Sequence, residues 1–121
     1  MREFTNGINF TAIDRINSVT AESLAEKAGQ TITIVGVAFA RDEREGKMVD
    51  AGYVKTSDGM YYNTISSTAL QGLDGILELL ETPDYNSTGV AVEILERKSS
   101  NNRKYILLKL VTPDTANTSG H

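Results

Sequence analysis

Residues 31–41 read Thr-Ile-Thr-Ile-Val-Gly-Val-Ala-Phe-Ala-Arg, a run dense in β-branched side chains and without helical period. Branched side chains lose little freedom on a pleated surface and more in a helix, so this run predicts a long strand. Gly36 falls in its middle, where a glycine marks a bulge or a sharp bend of the kind found at a barrel corner. A strand that bends there can serve both halves of a small barrel.

The rest of the chain supplies partners for it. A polar loop is expected at 42–47, a second strand at about 48–55, and a third at 60–65 after the Asp58-Gly59 hairpin signal. Ser66 or Ser67 is placed to cap a helix over 68–82, where Leu70, Leu73, Leu77 and Leu80 recur on one face with Ile76 beside them and Pro83 ends the run. Residues 84–88 read as a loop. Strands follow at 89–98 and 103–111, around the polar turn 99–102; Val90, Val92 and Ile94 share one face, as do Ile106, Leu108 and Leu110. Upstream, residues 21–28 are good helix formers stopped by Gly29. Residues 1–20, with Phe4, Ile8, Phe10, Ile13, Ile16 and Val19, fit a short strand, a turn of helix or an ordered arm. Residues 112–121 read as a flexible tail.

The order β-β-β-α-β-β predicts a mainly β fold: an OB-fold, a five-stranded Greek-key barrel with a helix between strands three and four, here with an N-terminal extension. An open α+β sheet or another small barrel is the alternative. The expected organisation is one domain over 1–111, its arm at 1–30, then the tail. A length of 121 residues with 40% apolar and 23% charged side chains suits that size.

Several chemistries are excluded by composition. Cysteine is absent, which removes disulfides, thiolate metal sites and cysteine nucleophiles. The one histidine is the last residue, His121, so histidine acid–base work is not expected. Carboxylate pairs occur at Asp42/Glu45 and Asp74/Glu78, but the first lies in a loop without further ligands and the second reads as a solvated helix face. No enzyme activity, cofactor or metal is expected. No apolar run approaches the roughly 18–20 residues of a membrane span, and the first residues lack the apolar stretch of a secretory signal. A cytoplasmic protein with no membrane partner is the expectation.

The net charge of −4 argues at first against nucleic acid. Its distribution argues otherwise. Residues 67–96 carry six acids and no base, whereas 97–109 carry Arg97, Lys98, Arg103, Lys104 and Lys109 and no acid. In an OB-fold the loops after the first and fourth strands border the ligand groove. Those loops and their stems hold Arg41, Arg44, Lys47, Arg97, Lys98, Arg103 and Lys104, with Asp42, Glu43 and Glu45 diluting the first group. Five of the eight aromatics fall on candidate strands: Phe39, Tyr53, Tyr61, Tyr62 and Tyr105. Tyrosine suits base stacking because every base offers a π-face. Tyr105 has the parity opposite to Ile106 and Leu108 and should point outward; Phe39 shares parity with Arg41; Tyr61 and Tyr62 should face opposite ways.

The stretch Asp58-Gly-Met-Tyr-Tyr-Asn-Thr-Ile-Ser-Ser-Thr68, the pair Val90-x-Val92 followed by Ser99-Ser100 and Ile106-Leu-Leu-Lys-Leu110, and more weakly Gly29-Gln-Thr-Ile-Thr-Ile leading to Val37-Ala38-Phe39, carry a resemblance. Over about residues 29–111 the chain resembles the single-stranded-DNA-binding proteins of small protein-primed tailed phages, the phi-twenty-nine-like group. The resemblance implies a viral replication protein that coats displaced single strands in the bacterial host cytoplasm, with Tyr62 as the contact tyrosine carried over. Residues 41–47 depart from the family pattern.

The expected function is therefore non-sequence-specific binding of single-stranded DNA. Bases would stack on Tyr62, Tyr105, Phe39 and Tyr53, and phosphates would meet Arg41, Arg44, Lys47, Lys98, Arg103 and Lys104. Self-association is a further expectation. The alternative is a protein–protein interaction module on the same scaffold, docking through a strand edge.

Overall fold

The long strand runs further than its apolar core, from Thr31 to Arg44, and pairs along both edges. In the computed structural model, which describes residues 2–111, the elements follow in the order β1 (Arg2–Ile8), α1 (Ala12–Asn17), β2 (Glu22–Ser23), β3 (Thr31–Arg44), β4 (Lys47–Thr56), β5 (Tyr61–Thr64), α2 (Ser67–Leu80), α3 (Pro83–Asn86), β6 (Val90–Lys98) and β7 (Lys104–Leu110). The tail expected at 112–121 lies outside the described residues.

The strands form one curled, open, mainly β sheet in the order β2-β5-β4-β3-β6-β7, with β1 added against β3. β4 follows one edge of β3 from Ile34 to Arg44. The other edge is divided: β6 pairs with Thr31–Ile34 and β1 with Val37–Asp42. The changeover falls at Gly36, where the β3–β4 register also slips. A side chain there has no room, because a Cβ on Gly36 would lie 2.3 Å from the Asn9 carbonyl oxygen. The bend expected from Gly36 is thus a bulge that lets one strand accept two successive neighbours.

Four segments differ from the sequence reading. The polar stretch 42–47 is not a loop: β3 and β4 continue to a two-residue turn in which Glu45 (φ 53°) and Gly46 (φ 79°) are both left-handed. That is type I′ geometry, which Glu-Gly reaches without the usual Asn-Gly signature. Residues 21–28 are not a helix but the short strand β2, parallel to β5, followed by a 3-10 turn Leu24–Lys27. Leu24 is fully buried there, so tertiary packing overrides helix propensity. Residues 83–86 form the short helix α3, with Pro83 in the first turn where its missing N–H costs nothing. Ser66 occupies the cap position of α2 but makes no side-chain cap; its hydroxyl accepts the Ile106 N–H of β7 at 3.3 Å.

The main core lies between the inner sheet face and α2. Ile34, Val37, Val54, Tyr62, Val90, Val92, Ile94 and Ile106 meet Ala69, Leu73, Ile76 and Leu80, with Leu24 closing one end. Each large aliphatic buried there contributes ~1.5–3 kcal/mol of transfer free energy. A smaller second core covers the outer face: Ala38, Ala40, Ala51 and Tyr53 lie beneath Phe4, Phe10 and Ala21 of the N-terminal segment.

Candidate nucleic-acid interface

β6 and β7 pair in strict register, so their outer-face side chains come in rows: Arg97 opposite Tyr105, Leu95 opposite Leu107, and Glu93 opposite Lys109. Tyr105, Leu95 and Leu107 are half-buried, and Arg97 and Lys109 are exposed. Tyr105 points outward, as parity predicts. Lys98 pairs with Lys104 at the end of the hairpin, and Arg103 stands in its turn; all three are exposed. Asn102, at φ 65°, supplies the left-handed residue that closes the turn. Among the described residues no hydrogen bond, ion pair or ring contact engages the Tyr105 side chain. The face is therefore an open ring beside a guanidinium, with further cations at its tip.

The row continues onto β3. Thr31 lies opposite Glu93 and Thr33 opposite Ala91. Both threonines line a polar cleft of about 310 Å³ with Lys27, Gln30, Ser57, Asp58 and Tyr62. The Thr56 hydroxyl donates to Asp58 and holds its carboxyl below the usual aspartate range.

The second basic group is elsewhere. β3 and β6 share only Thr31–Ile34 and Val90–Glu93; beyond that ladder β3 runs to Arg44 in one direction and β6 to Lys98 in the other. The structure thus separates Arg41, Arg44 and Lys47 from Lys98, Arg103 and Lys104 along the ladder. It also pairs two of them. Arg41 lies 3.8 Å from Asp50, and Arg44 lies 3.2 Å from Asp42. Burial works to raise the Asp42 carboxyl, but hydrogen bonds from Arg44 and from the Tyr53 hydroxyl, with the Arg44 charge, hold it below its ordinary value. Lys47 is exposed at the turn. Phe39 is half-buried on the same side as Arg41, in a groove with Leu70, Asp50 and Ala51, and it packs against the main core.

Two of the expected stacking tyrosines are interior. Tyr62 keeps 2% of its surface and belongs to the main core, with the Lys27 ammonium 5.6 Å from its ring centre. Tyr53, also 2% exposed, lies under the N-terminal segment, its ring 5.6 Å from that of Phe4 and its face beneath the Arg2 guanidinium.

That cover is what sequence reasoning missed. Tyr61 on the outer face of β5 meets Phe10 edge-on at 6.1 Å. Its hydroxyl donates to Asp14, which is 2% exposed and also pairs with Lys55 at 3.1 Å. Asp14 completes a capping box with Thr11 at the start of α1. Burial works to raise its carboxyl, but the bonds from Tyr61, the Thr11 N–H and Lys55, with the Lys55 charge, hold it low. The Thr11-x-x-Asp14 spacing was readable as a helix start; its cross-sheet partners were not, because they arrive 41 or more positions later along the chain (55 minus 14).

Among the described residues no cluster of three or more acidic or histidine side chains is placed to hold a metal ion, and no helix is long and apolar enough to cross a membrane. Comparison of the chain with protein-family models, with curated proteins and with solved structures finds no significant match to any of them.

Proposed function

We propose that this protein binds single-stranded DNA without sequence preference, on the outer face of the β6–β7 hairpin, and coats strands displaced during replication, as the resemblance to the phage proteins implies. The observation that carries the reading is the unpartnered Tyr105 ring beside Arg97, in a stretch with five cations and no acid. A base stacks on the ring while its phosphates meet Arg97, Lys98, Arg103 and Lys104; each stacked base contributes ~1–3 kcal/mol and is read through its π-face alone. The row of Leu95, Leu107 and the β3 threonines offers a continuation toward the polar cleft. Lys109 offsets Glu93 along it.

The same reading takes β3–β7 with α2 as an OB-type barrel. Support comes from the bulged β3 pairing with both the next strand and β6, and from α2 standing between the third and fourth strands of that set. The outer face of β4 and β5, carrying Tyr53 and Tyr61, is occupied by the N-terminal segment, so contact shifts to β6–β7. Tyr62 and Tyr53 then serve the fold rather than the ligand.

Titration of the full chain with oligo-dT at two salt concentrations, followed by tyrosine fluorescence and mobility shift, tests the proposal. Quenching that weakens with salt is expected. No quenching and no salt-sensitive shift at micromolar protein sinks it, and leaves an interaction module as the better reading.

A further inference from the structure

The β3–β4 ladder begins only at Ile34. Before it, the first residues of β3 part from the turn that joins β4 to β5, and the gap between them is the polar cleft of about 310 Å³. Backbone bonds fix its walls: the Ser57 N–H donates to the Thr33 carbonyl at 2.9 Å, and the Gln30 N–H to the Lys27 carbonyl at 2.9 Å. The Lys27 ammonium stands 5.6 Å from the centre of the buried Tyr62 ring. Among the described residues that ammonium makes no ion pair, and no hydrogen bond engages the side chains of Thr31, Thr33 or Ser57. A preformed cleft with one ammonium and three unpaired hydroxyls offers donors to an anion. Asp58 is the one acid of the lining, and the Thr56 hydroxyl bonds its carboxyl and keeps it ionised.

The cleft also lies on the path from Tyr105. Thr31 falls in the row of Glu93 and Lys109, on the same face as Arg97 and Tyr105 and 4 residues further along β6 and β7. At the spacings of a sheet, Thr31 and Tyr105 are roughly 15 Å apart. An extended single strand, whose rise reaches about twice the ~3.4 Å of a duplex strand, covers that in roughly three nucleotides.

We propose that the cleft is a second anchor for the strand: a backbone phosphate, roughly three nucleotides from the base on Tyr105, seats against Lys27 and the hydroxyls of Thr31, Thr33 and Ser57. This rests on the single-strand reading and gives the strand a defined path. A phosphate contact carries no sequence information, so the anchor adds affinity without preference. Asp58 opposes the phosphate from the other wall.

Fluorescence anisotropy of a labelled oligo-dT of about eight residues, within the site sizes of small barrels, tests the anchor on the full-length protein at several salt concentrations. Lys27→Gln is expected to lower the salt slope by ~0.7. It should also weaken binding by up to ~5-fold, the worth of an exposed ion pair. Lys27→Arg keeps the charge and should keep the slope. Asp58→Asn keeps the turn, since Asn-Gly suits a hairpin as Asp-Gly does, and should tighten binding ~2-fold by removing a like charge. Lys47→Gln, at the exposed β3–β4 turn, removes the same charge far from the path and should change nothing. An unchanged slope in Lys27→Gln, an equal fall in Lys47→Gln, or no gain in Asp58→Asn would each overturn the anchor. If Tyr105→Ala still weakens binding in that case, the hairpin reading stands without it. A wild-type chain that binds no oligo-dT overturns both.

Discussion

The Tyr61 hydroxyl donates to Asp14 Oδ1 at 2.6 Å, and through that bond the N-terminal segment is fastened to β5 across the outer face of the sheet. Lys55 Nζ approaches the same oxygen at 3.1 Å, so one carboxylate ties α1 to two strands. Its pKa is held below the ordinary value of 3.8. The unfolded chain therefore takes up the proton first as pH falls, and the stability Asp14 contributes at neutral pH is lost below 3.8. Asp14→Asn should cost about 1.5–3 kcal/mol at neutral pH, the range for a hydrogen bond to a charged group. The gap to wild type should narrow about a unit below the ordinary aspartate value. Urea denaturation at the two pH values checks this, and a gap of equal size at both would refute the role given to the charge.

Tyr105 and Tyr62 should separate binding from folding. Tyr105→Ala removes a surface ring and should weaken oligo-dT binding by the worth of one stacked base, ~1–3 kcal/mol or roughly 5- to 150-fold, with the melting temperature unchanged. Tyr62→Ala opens a cavity in the main core and should cost ~3–5 kcal/mol of stability, as large aromatic truncations do. Tyr62→Phe keeps the packing and should bind as wild type does. Loss of binding in Tyr62→Phe with full affinity in Tyr105→Ala would move the site to the cleft.

The long bent strand, the amphipathic α2 and the two closing strands were legible because each carries its own period and its own punctuation at Gly36, Pro83 and the 99–102 turn. The outward direction of Tyr105 followed from parity alone. What stayed hidden is non-local. Tyr53 has the composition of a stacking residue, and only the fold-back of Phe4 and Phe10 makes it interior. Residues 21–28 favour a helix until β5 offers them a parallel edge. The basic residues of the two hairpins looked like one cluster because sequence carries sign but not register; the short β3–β6 ladder sends them in opposite directions.

The bulge at Gly36 sets a packing test. Gly36→Ala would drive its Cβ to 2.3 Å from the Asn9 carbonyl oxygen, and the neighbour is backbone, so the strand must move. A loss of about 1–3 kcal/mol is expected, in the range of overpacked sites. Gly75→Ala is the matched control: its Cβ meets nothing, and alanine is the better helix former by ~0.8–1.0 kcal/mol, so this variant should gain stability. Urea midpoints with unchanged slopes measure both, and equal stability of Gly36→Ala and wild type would show that β1 does not hold β3 as tightly as the register implies.

Salt dependence distinguishes the two basic groups. Each phosphate neutralised on a single strand adds ~0.7 to the slope of log affinity against log salt. Lys104 is exposed at the end of the β6–β7 hairpin beside Lys98, two like charges that gain from an anion between them. Lys104→Ala should therefore lower the slope by ~0.7 and weaken binding equally for all sequences. Arg41 lies beyond the other end of the β3–β6 ladder and already faces Asp50 at 3.8 Å. Arg41→Ala should leave both slope and affinity unchanged. Oligo-dT isotherms at three or more salt concentrations decide between the hairpins: a fall in slope for Arg41→Ala with none for Lys104→Ala would place the phosphates on the β3–β4 side and leave Tyr105 without a role.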